Sequence, residues 1–463
     1  MRMDEPVFED PGPPVRTPVS RARRALSVAI VLTLVVSMMA LAFVSGRGVV
    51  TVPPPDGPSA TVAAVATDTS RIAIIDAGGG LATTDALGGS VVRYGEPGFR
   101  FSFPTWSPDG TRFAVIREGP DDTAIDVFTP PAGLGTAAAP AVVYRSGDRP
   151  PFYVYWSPDG RSLTFLTTEP NGLALRVAPA DASTEAVVIR EGSPMYWAWA
   201  DASRLLVHSG GDGPAGFFGE VRPDGVATEP AAIVTGGFRV PAISSDGLFR
   251  AFVAPGERTP QRVVVESRDR TTSHAVDVFG VAAIAFGLGS DELAFVAQAG
   301  PGPETVVPIG PLRLLDAASG KVRTLLGGTV IGFFWSPDGK TIAALEVPAA
   351  SDDKIASLGR GTLISSSAAR EVAADGRRLR FTFVDVGSGT IRSHWGFTVS
   401  QVFVDQLLPY FDQYALSHRM WSPDSAKIAI PVVADGTDQV MVVPADGAGA
   451  RKIADGVVGF WSP

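Results

Sequence analysis

The chain has 463 residues, a formal net charge of −9 and no cysteine. The missing cysteines exclude disulfides, a thiolate nucleophile, thiolate metal ligands and a lipidated N-terminal Cys, and an acidic chain with no Lys/Arg stripe beyond its N-terminal tail excludes a nucleic-acid partner. The 51 Gly and 39 Pro, in a sequence that is 45% hydrophobic and 19% charged, favour many short strands joined by tight turns over long helices or disorder.

Residues 1–24 form a tail that ends in Arg21, Arg23 and Arg24. The next 22 residues, 25–46 (ALSVAIVLTLVVSMMALAFVSG), carry no charge; as a helix they span roughly 33 Å, enough to cross a bilayer core. Arginines before the run and only Arg47 directly after it place the tail in the cytoplasm and the remainder outside. Ala40-Leu41-Ala42 also reads as a signal-peptidase site, but the run is longer than a signal-peptide core, so a retained single-pass anchor is the expectation. Residues 47–60 contain Pro53-Pro54-Pro55-Asp56-Gly57-Pro58, an extended spacer.

From residue 61 to residue 463 the chain repeats. Trp106-Ser107-Pro108-Asp109-Gly110, Trp156-Ser157-Pro158-Asp159-Gly160, Trp335-Ser336-Pro337-Asp338-Gly339 and Trp421-Ser422-Pro423-Asp424 each precede an apolar run; Trp199-Ala200-Asp201, Ile243-Ser244-Ser245-Asp246-Gly247 and Phe286-Gly287-Leu288-Gly289 are degenerate copies. Pro presets φ, Asp accepts a main-chain N–H, and Gly takes the positive φ that closes a hairpin. Each unit supplies four strands, and a period of roughly 40–50 residues is that of a propeller blade. These residues resemble the TolB-type, WD-repeat-like module of bacterial exported proteins. The resemblance implies an all-β propeller and says almost nothing of function, because the motif is a turn.

Units beginning near residues 68, 106, 156, 199, 243, 286, 335 and 421 predict eight four-stranded blades, with seven as the alternative. The half-motif Phe460-Trp461-Ser462-Pro463 and the run Asp68 to Ile75 read as two halves of one unit, so the C-terminus is expected to supply the inner strand of the first blade and close the ring. Val62 to Ala66 is the other source of that strand.

The interval from Trp335 to Trp421 is twice the period and contains no second turn motif. It reads as one blade with insertions at about 348–378 and 395–417, both emerging on one face. In the second, Val399, Val402, Phe403, Leu407, Tyr410, Phe411 and Tyr414 follow a helical period, with Thr398 as its cap and Pro409 as a kink. This predicts an amphipathic helix lying on the propeller face as a lid.

Candidate ligand- or partner-binding residues are Asp405, Gln406, Tyr410, Asp412 and Tyr414 of that segment, together with His394 and His418 at its base. The four histidines form no H-x-H or H-x-x-x-H pair, so no metal site and no cofactor are expected. The motif aspartates read as turn residues and the motif tryptophans as packing groups between blades. No G-x-S-x-G elbow occurs, which argues against a peptidase. The expected function is therefore non-catalytic: a membrane-anchored extracytoplasmic propeller that binds a protein or cell-envelope ligand. An envelope glycan-active enzyme using the channel face and a transmembrane sensor are the alternatives.

Overall fold

The W-S-P-D-G turn is built around its serine. Ser107 Oγ donates to Asp109 Oδ1 at 2.6 Å and accepts the main-chain N–H of Arg112 at 3.0 Å. Asp109 accepts the N–H of Thr111, and Gly110 takes φ 69°. The same Ser–Asp pair recurs at Ser157–Asp159, Ser244–Asp246, Ser336–Asp338 and Ser422–Asp424. In the last copy Ser425 replaces the glycine and still adopts φ 59°. The motif aspartates are thus turn residues, as their chemistry predicts.

The computed structural model describes residues 70–463, apart from 134, 136, 171, 211–215, 229–232, 258, 303–306 and 349–377. The predicted tail, transmembrane helix and spacer, and all but the ends of the first predicted insertion, lie outside the described residues. Among the described residues, no helix is long and apolar enough to cross a membrane.

After each turn the chain runs as an antiparallel meander. Arg100–Trp106, Phe113–Glu118, Thr123–Phe128 and Ala141–Ser146 form one four-stranded sheet; Pro151–Trp156, Ser162–Glu169, Gly172–Pro179 and Val187–Gly192 form the next. Met195–Asp201, Arg204–Ser209 and Phe217–Val221 follow as three strands. Ten further strands, from Ala242–Ile243 to Ile391–Thr398, are hydrogen-bonded in sequence because two long strands each serve two meanders. Ser273–Phe286 pairs through its first half with Gln261–Ser267 and through its second half with Glu292–Gln298. Val322–Trp335 does the same between Gly310–Asp316 and Thr341–Glu346. Lys427–Ala434, Thr437–Pro444 and Arg451–Asp455 complete the series, with Trp421 bridged to Ile428 on their inner side.

The ring closes as the C-terminal half-motif requires. Val458–Trp461 is the inner neighbour of Arg71–Ile75, and Ile72 faces Trp461 as Phe113 faces Trp106. The edge of the first sheet is therefore capped by the last residues of the chain, a closure that removes an aggregation-prone edge. Successive meanders with motif-terminated inner strands, closed on themselves, are the arrangement of a β-propeller.

Two boundaries differ from those expected. The fourth strand of the irregular meander extends to Thr398, so residues 395–398 belong to the sheet and not to the insertion. Thr398 pairs with Arg378 and does not cap the helix; Ser400 does, accepting the Phe403 N–H at 3.2 Å. The helical segment has three parts. A π-helical turn, Phe403–Leu407, and a 3-10 turn, Leu408–Tyr410, precede the α-helix Phe411–Ser417, labelled α1. Pro409 lacks an N–H and crowds the preceding turn, so the regular α-helical ladder gives way around it.

Candidate functional site

The helical segment is not a lid. Its apolar positions Phe403, Val404, Leu407 and Phe411 are buried, and so are the polar residues Asp412, Gln413 and Ser417. A helix buried on its polar side as well is surrounded by protein, and its contacts identify the surroundings as the inner strands. Phe411 packs on Phe333 and Phe334, Tyr414 on Phe103 and Tyr153, and His418 on Phe460. Gln413 Nε2 donates to the Trp197 carbonyl at 3.1 Å. Arg239 stands 5.5 Å from the ring of Tyr410. These partners come from meanders spread around the ring, so the segment fills the channel they enclose.

Two of the contact residues depend on an unusual backbone. Phe103 and Tyr153 have φ 48° and 47°, a left-handed conformation rare for bulky side chains. Each lies where its inner strand slips register against its neighbour, between Ser102 and Thr105 and between Phe152 and Val154. A bulge of this kind re-aims a side chain, and here both rings meet Tyr414. Sequence reasoning missed them, yet a signal was present: Phe103, Tyr153 and Tyr196 each stand three residues before a motif Trp.

The polar groups around α1 bond to one another and to the inner strands, except Gln413 Oε1, which is buried without a partner among the described residues. Tyr153 Oη donates to the Gln413 carbonyl at 2.7 Å, accepts from Gln413 Nε2 at 2.8 Å, and lies 3.0 Å from Ser417 Oγ. His418 Nε2 is 3.2 Å from the Phe103 carbonyl and Nδ1 is 2.7 Å from Ser417 Oγ. A carbonyl requires a donor, which assigns the proton to Nε2 and makes Nδ1 the acceptor. Burial lowers the His418 pKa to about 3, so the imidazole is neutral. Thr105 Oγ1 donates to the Ser417 carbonyl at 2.5 Å.

A second group sits beside Arg239. Burial raises the pKa of Asp412, Tyr196 and Tyr410, and the Arg239 guanidinium opposes the rise at each. Asp405 and Gln406 are half-buried, and Asp405 accepts from Gln401 Nε2 at 2.8 Å.

The predicted residues therefore divide. Tyr410, Asp412, Tyr414 and His418 are brought together in the channel, with Asp412 and His418 buried. His394 is elsewhere: it is exposed on the outermost strand Ile391–Thr398, with Nδ1 2.9 Å from Thr382 Oγ1. The two histidines do not share a site. Thr382 also bonds Glu346, whose carboxylate pairs with Arg380 at 3.0 Å. A hydroxyl has one proton, which goes to the carboxylate; His394 Nδ1 then donates to Thr382.

No protein-family model and no curated protein matches the chain. Solved structures to which it is similar include TolB from Acinetobacter baumannii, at 14% identity and TM-score 0.38, covering 80% of this chain and 68% of that one. An oligogalacturonate lyase in complex with manganese aligns at 13% identity and TM-score 0.42, over 77% of this chain and 84% of that one. The dihydro-heme d1 dehydrogenase NirN aligns at 12% identity and TM-score 0.47, over 84% and 74%. Enzymes occur beside TolB among such neighbours, and no activity transfers to this chain from them.

Proposed function

We propose that the chain is a membrane-anchored, extracytoplasmic propeller of eight four-stranded blades that binds a protein or cell-envelope ligand without catalysing its conversion. The observation that carries this reading is the filled channel. A concave, partly apolar cavity is the usual place for small-molecule chemistry, and here Phe411, Gln413, Tyr414 and His418 occupy it. Recognition then falls to the surface around the helical segment, where Asp405, Gln406 and Tyr410 remain half-exposed. The eight-blade count is supported by eight inner positions preceding a turn, seven of them in strands and one at Trp421. The anchor is supported by the uncharged run 25–46 and its flanking arginines.

Deleting the insertion would remove core side chains, so the test substitutes surface groups instead. The double variant Asp405→Arg, Gln406→Ala in the full chain should lose a partner captured from solubilised envelope by cross-linking and identified by mass spectrometry. An unchanged partner set would reject the role given to that surface.

The glycan-enzyme reading has one specific observation in its favour, the hydrogen-bonded chain Glu346–Thr382–His394, which ends on an exposed imidazole. If that reading holds, His394→Ala removes a measurable envelope-glycan cleavage activity; a screen without any such activity in the wild type removes the reading.

A further inference from the structure

Arginines packed along the strands are paired within their own meander. Arg117, Arg176, Arg204, Arg250, Arg323 and Arg380 each reach a carboxylate at 3.0 Å or less. Arg313 does not. Its Nε and Nη2 are buried with no hydrogen-bond partner among the described residues, while the residue as a whole is only half-buried. Burial disfavours its charge, and no neighbouring carboxylate opposes that effect. A guanidinium does not escape by losing its proton, so a buried one without a counter-charge is strongly unfavourable until an anion meets it.

Strand register shows why Arg313 lacks a partner. Arg176 stands opposite Phe165, and its Nε and Nη2 donate to Thr167 at 2.9 Å and to Glu169 at 2.7 Å, two and four residues beyond that phenylalanine. Arg313 stands opposite Phe295 in the same way, but the positions two and four residues beyond are Ala297 and Ala299. Glu292 of the same meander serves Arg323, which is opposite Leu314 and so on the other face of the sheet. The Arg313 guanidinium lies 4.5 Å from the centre of the Phe295 ring. Phe295 shares an apolar cluster with Val263, Val265 and Val278 of the preceding meander, which places Arg313 in the seam between two blades. Val276, opposite Val263, and Val322, two residues before Thr324, the strand partner of Arg313, line an open groove of about 420 Å³. The acidic residues of that groove flank Arg262: Glu257 pairs with it at 3.6 Å and Asp277 is its strand partner.

We infer that this seam is a binding site for a ligand carboxylate, taken side-on by the Nε–Nη2 edge of Arg313. Those two nitrogens present parallel N–H donors that match the two oxygens of a carboxylate. Elsewhere in the protein the same edge already does this work: Nε and Nη2 of Arg323 both donate to Glu292, and those of Arg380 both donate to Glu346. The Phe295 ring supports the guanidinium plane and leaves its edge free. Water would satisfy the donors but leave the charge uncompensated. The apolar walls of the seam favour a compact monoanion over a strongly hydrated phosphate dianion. Neither the anchor nor the helical segment bears on this site.

The test compares melting temperatures of the full-length chain in detergent micelles, in sodium chloride, sodium acetate and sodium phosphate at equal ionic strength. Wild type, Arg313→Met and Arg313→Lys are measured side by side. Acetate should raise the wild-type melting temperature above its value in chloride. Arg313→Met should show no such rise, and Arg313→Lys, which keeps the charge but not the fork, a smaller one. Methionine keeps an apolar contact with Phe295 and no ion pair is lost, so Arg313→Met should melt in chloride at least as high as the wild type. A clear loss of stability in Arg313→Met in chloride would show the arginine to be compensated already and overturn the site. So would equal wild-type melting in acetate and chloride, or an acetate rise that survives Arg313→Met. A larger rise in phosphate than in acetate would overturn the carboxylate. Glu304, outside the described residues, supplies the internal control. If Glu304→Gln destabilises the wild type in chloride but not Arg313→Met, the chain's own carboxylate takes the edge and an external ligand is overturned.

Discussion

Trp156 Nε1 donates to the main-chain carbonyl of Thr105 at 2.9 Å, 51 residues earlier in the chain. Thr105 immediately precedes the previous motif tryptophan. The relationship recurs: Trp106 reaches the Phe460 carbonyl, Trp335 that of Ala285 and Trp421 that of Phe334, at 3.1, 3.2 and 3.1 Å. Each acceptor residue directly precedes the motif position of the neighbouring blade. The motif tryptophan is thus a staple between blades as well as a packing group. Trp461, at the closing joint, is buried with no partner for its Nε1 among the described residues.

That difference sets the first prediction. Trp156→Phe removes a buried donor and strands the Thr105 carbonyl, whereas Trp461→Phe removes a donor that has no acceptor. Stranding a buried polar group costs about 1–3 kcal/mol, so Trp156→Phe should be less stable than Trp461→Phe by at least about 1 kcal/mol on that account. Thermal unfolding of both variants checks it; equal losses would show that the staple contributes nothing.

Tyr153 holds α1 to the ring through two hydrogen bonds with Gln413 at one oxygen. Tyr153→Phe keeps the ring against Trp197 and Tyr414 and deletes the hydroxyl. A loss of about 1–3 kcal/mol is expected from the unpaired Gln413 groups. Hydrogen exchange of residues 411–417 should rise selectively, because the blades keep their own ladders.

His418 makes stability depend on pH. Its folded pKa, about 3, lies below the ordinary value of 6.5. As pH falls below 6.5 the unfolded chain takes up a proton that the buried ring refuses, so stability present above that pH is lost progressively down to about pH 3. The slope approaches about 1.4 kcal/mol per pH unit. Asp412, whose carboxyl pKa is raised by burial, works in the opposite direction and moderates the loss at lower pH. The melting temperature of the wild type should therefore drop between pH 6.5 and 5, and that of His418→Gln, which retains a donor for the Phe103 carbonyl, should drop less.

Two motif glycines separate turn conformation from blade packing. Gly247 and Gly339 have φ 72° and 67°, but a Cβ at Gly247 meets nothing within 4 Å while one at Gly339 overlaps the Leu288 carbonyl oxygen. Gly247→Ala should cost about 1–2 kcal/mol of left-handed strain. Gly339→Ala should cost clearly more, since it also forces the adjoining turn away. Equal melting temperatures would contradict the close approach of the two blades.

Much of the fold was legible in the turn motif because its chemistry is local. Ser, Asp and Gly within five residues close a hairpin wherever they occur, and the Trp461 half-motif announced the ring closure through register alone. The helical period of residues 399–414 was legible for the same reason. Its place was not: the burial of Gln413 and Ser417 depends on carbonyls and hydroxyls of strands more than 200 residues away. His394 and His418 show the same limit. They flank one segment in the chain, yet one ends on an outer strand and the other in the channel.

By itself, then, the amino-acid sequence determined the repeating turn, the antiparallel meander and the means of closure, all properties of residues near one another or in matching register. Only the tertiary structure decided that the inserted helix fills the channel. That outcome depends on inner strands from around the ring presenting Phe103, Tyr153, Trp197 and Phe333 at one place, through bulges and blade contacts that no local pattern encodes.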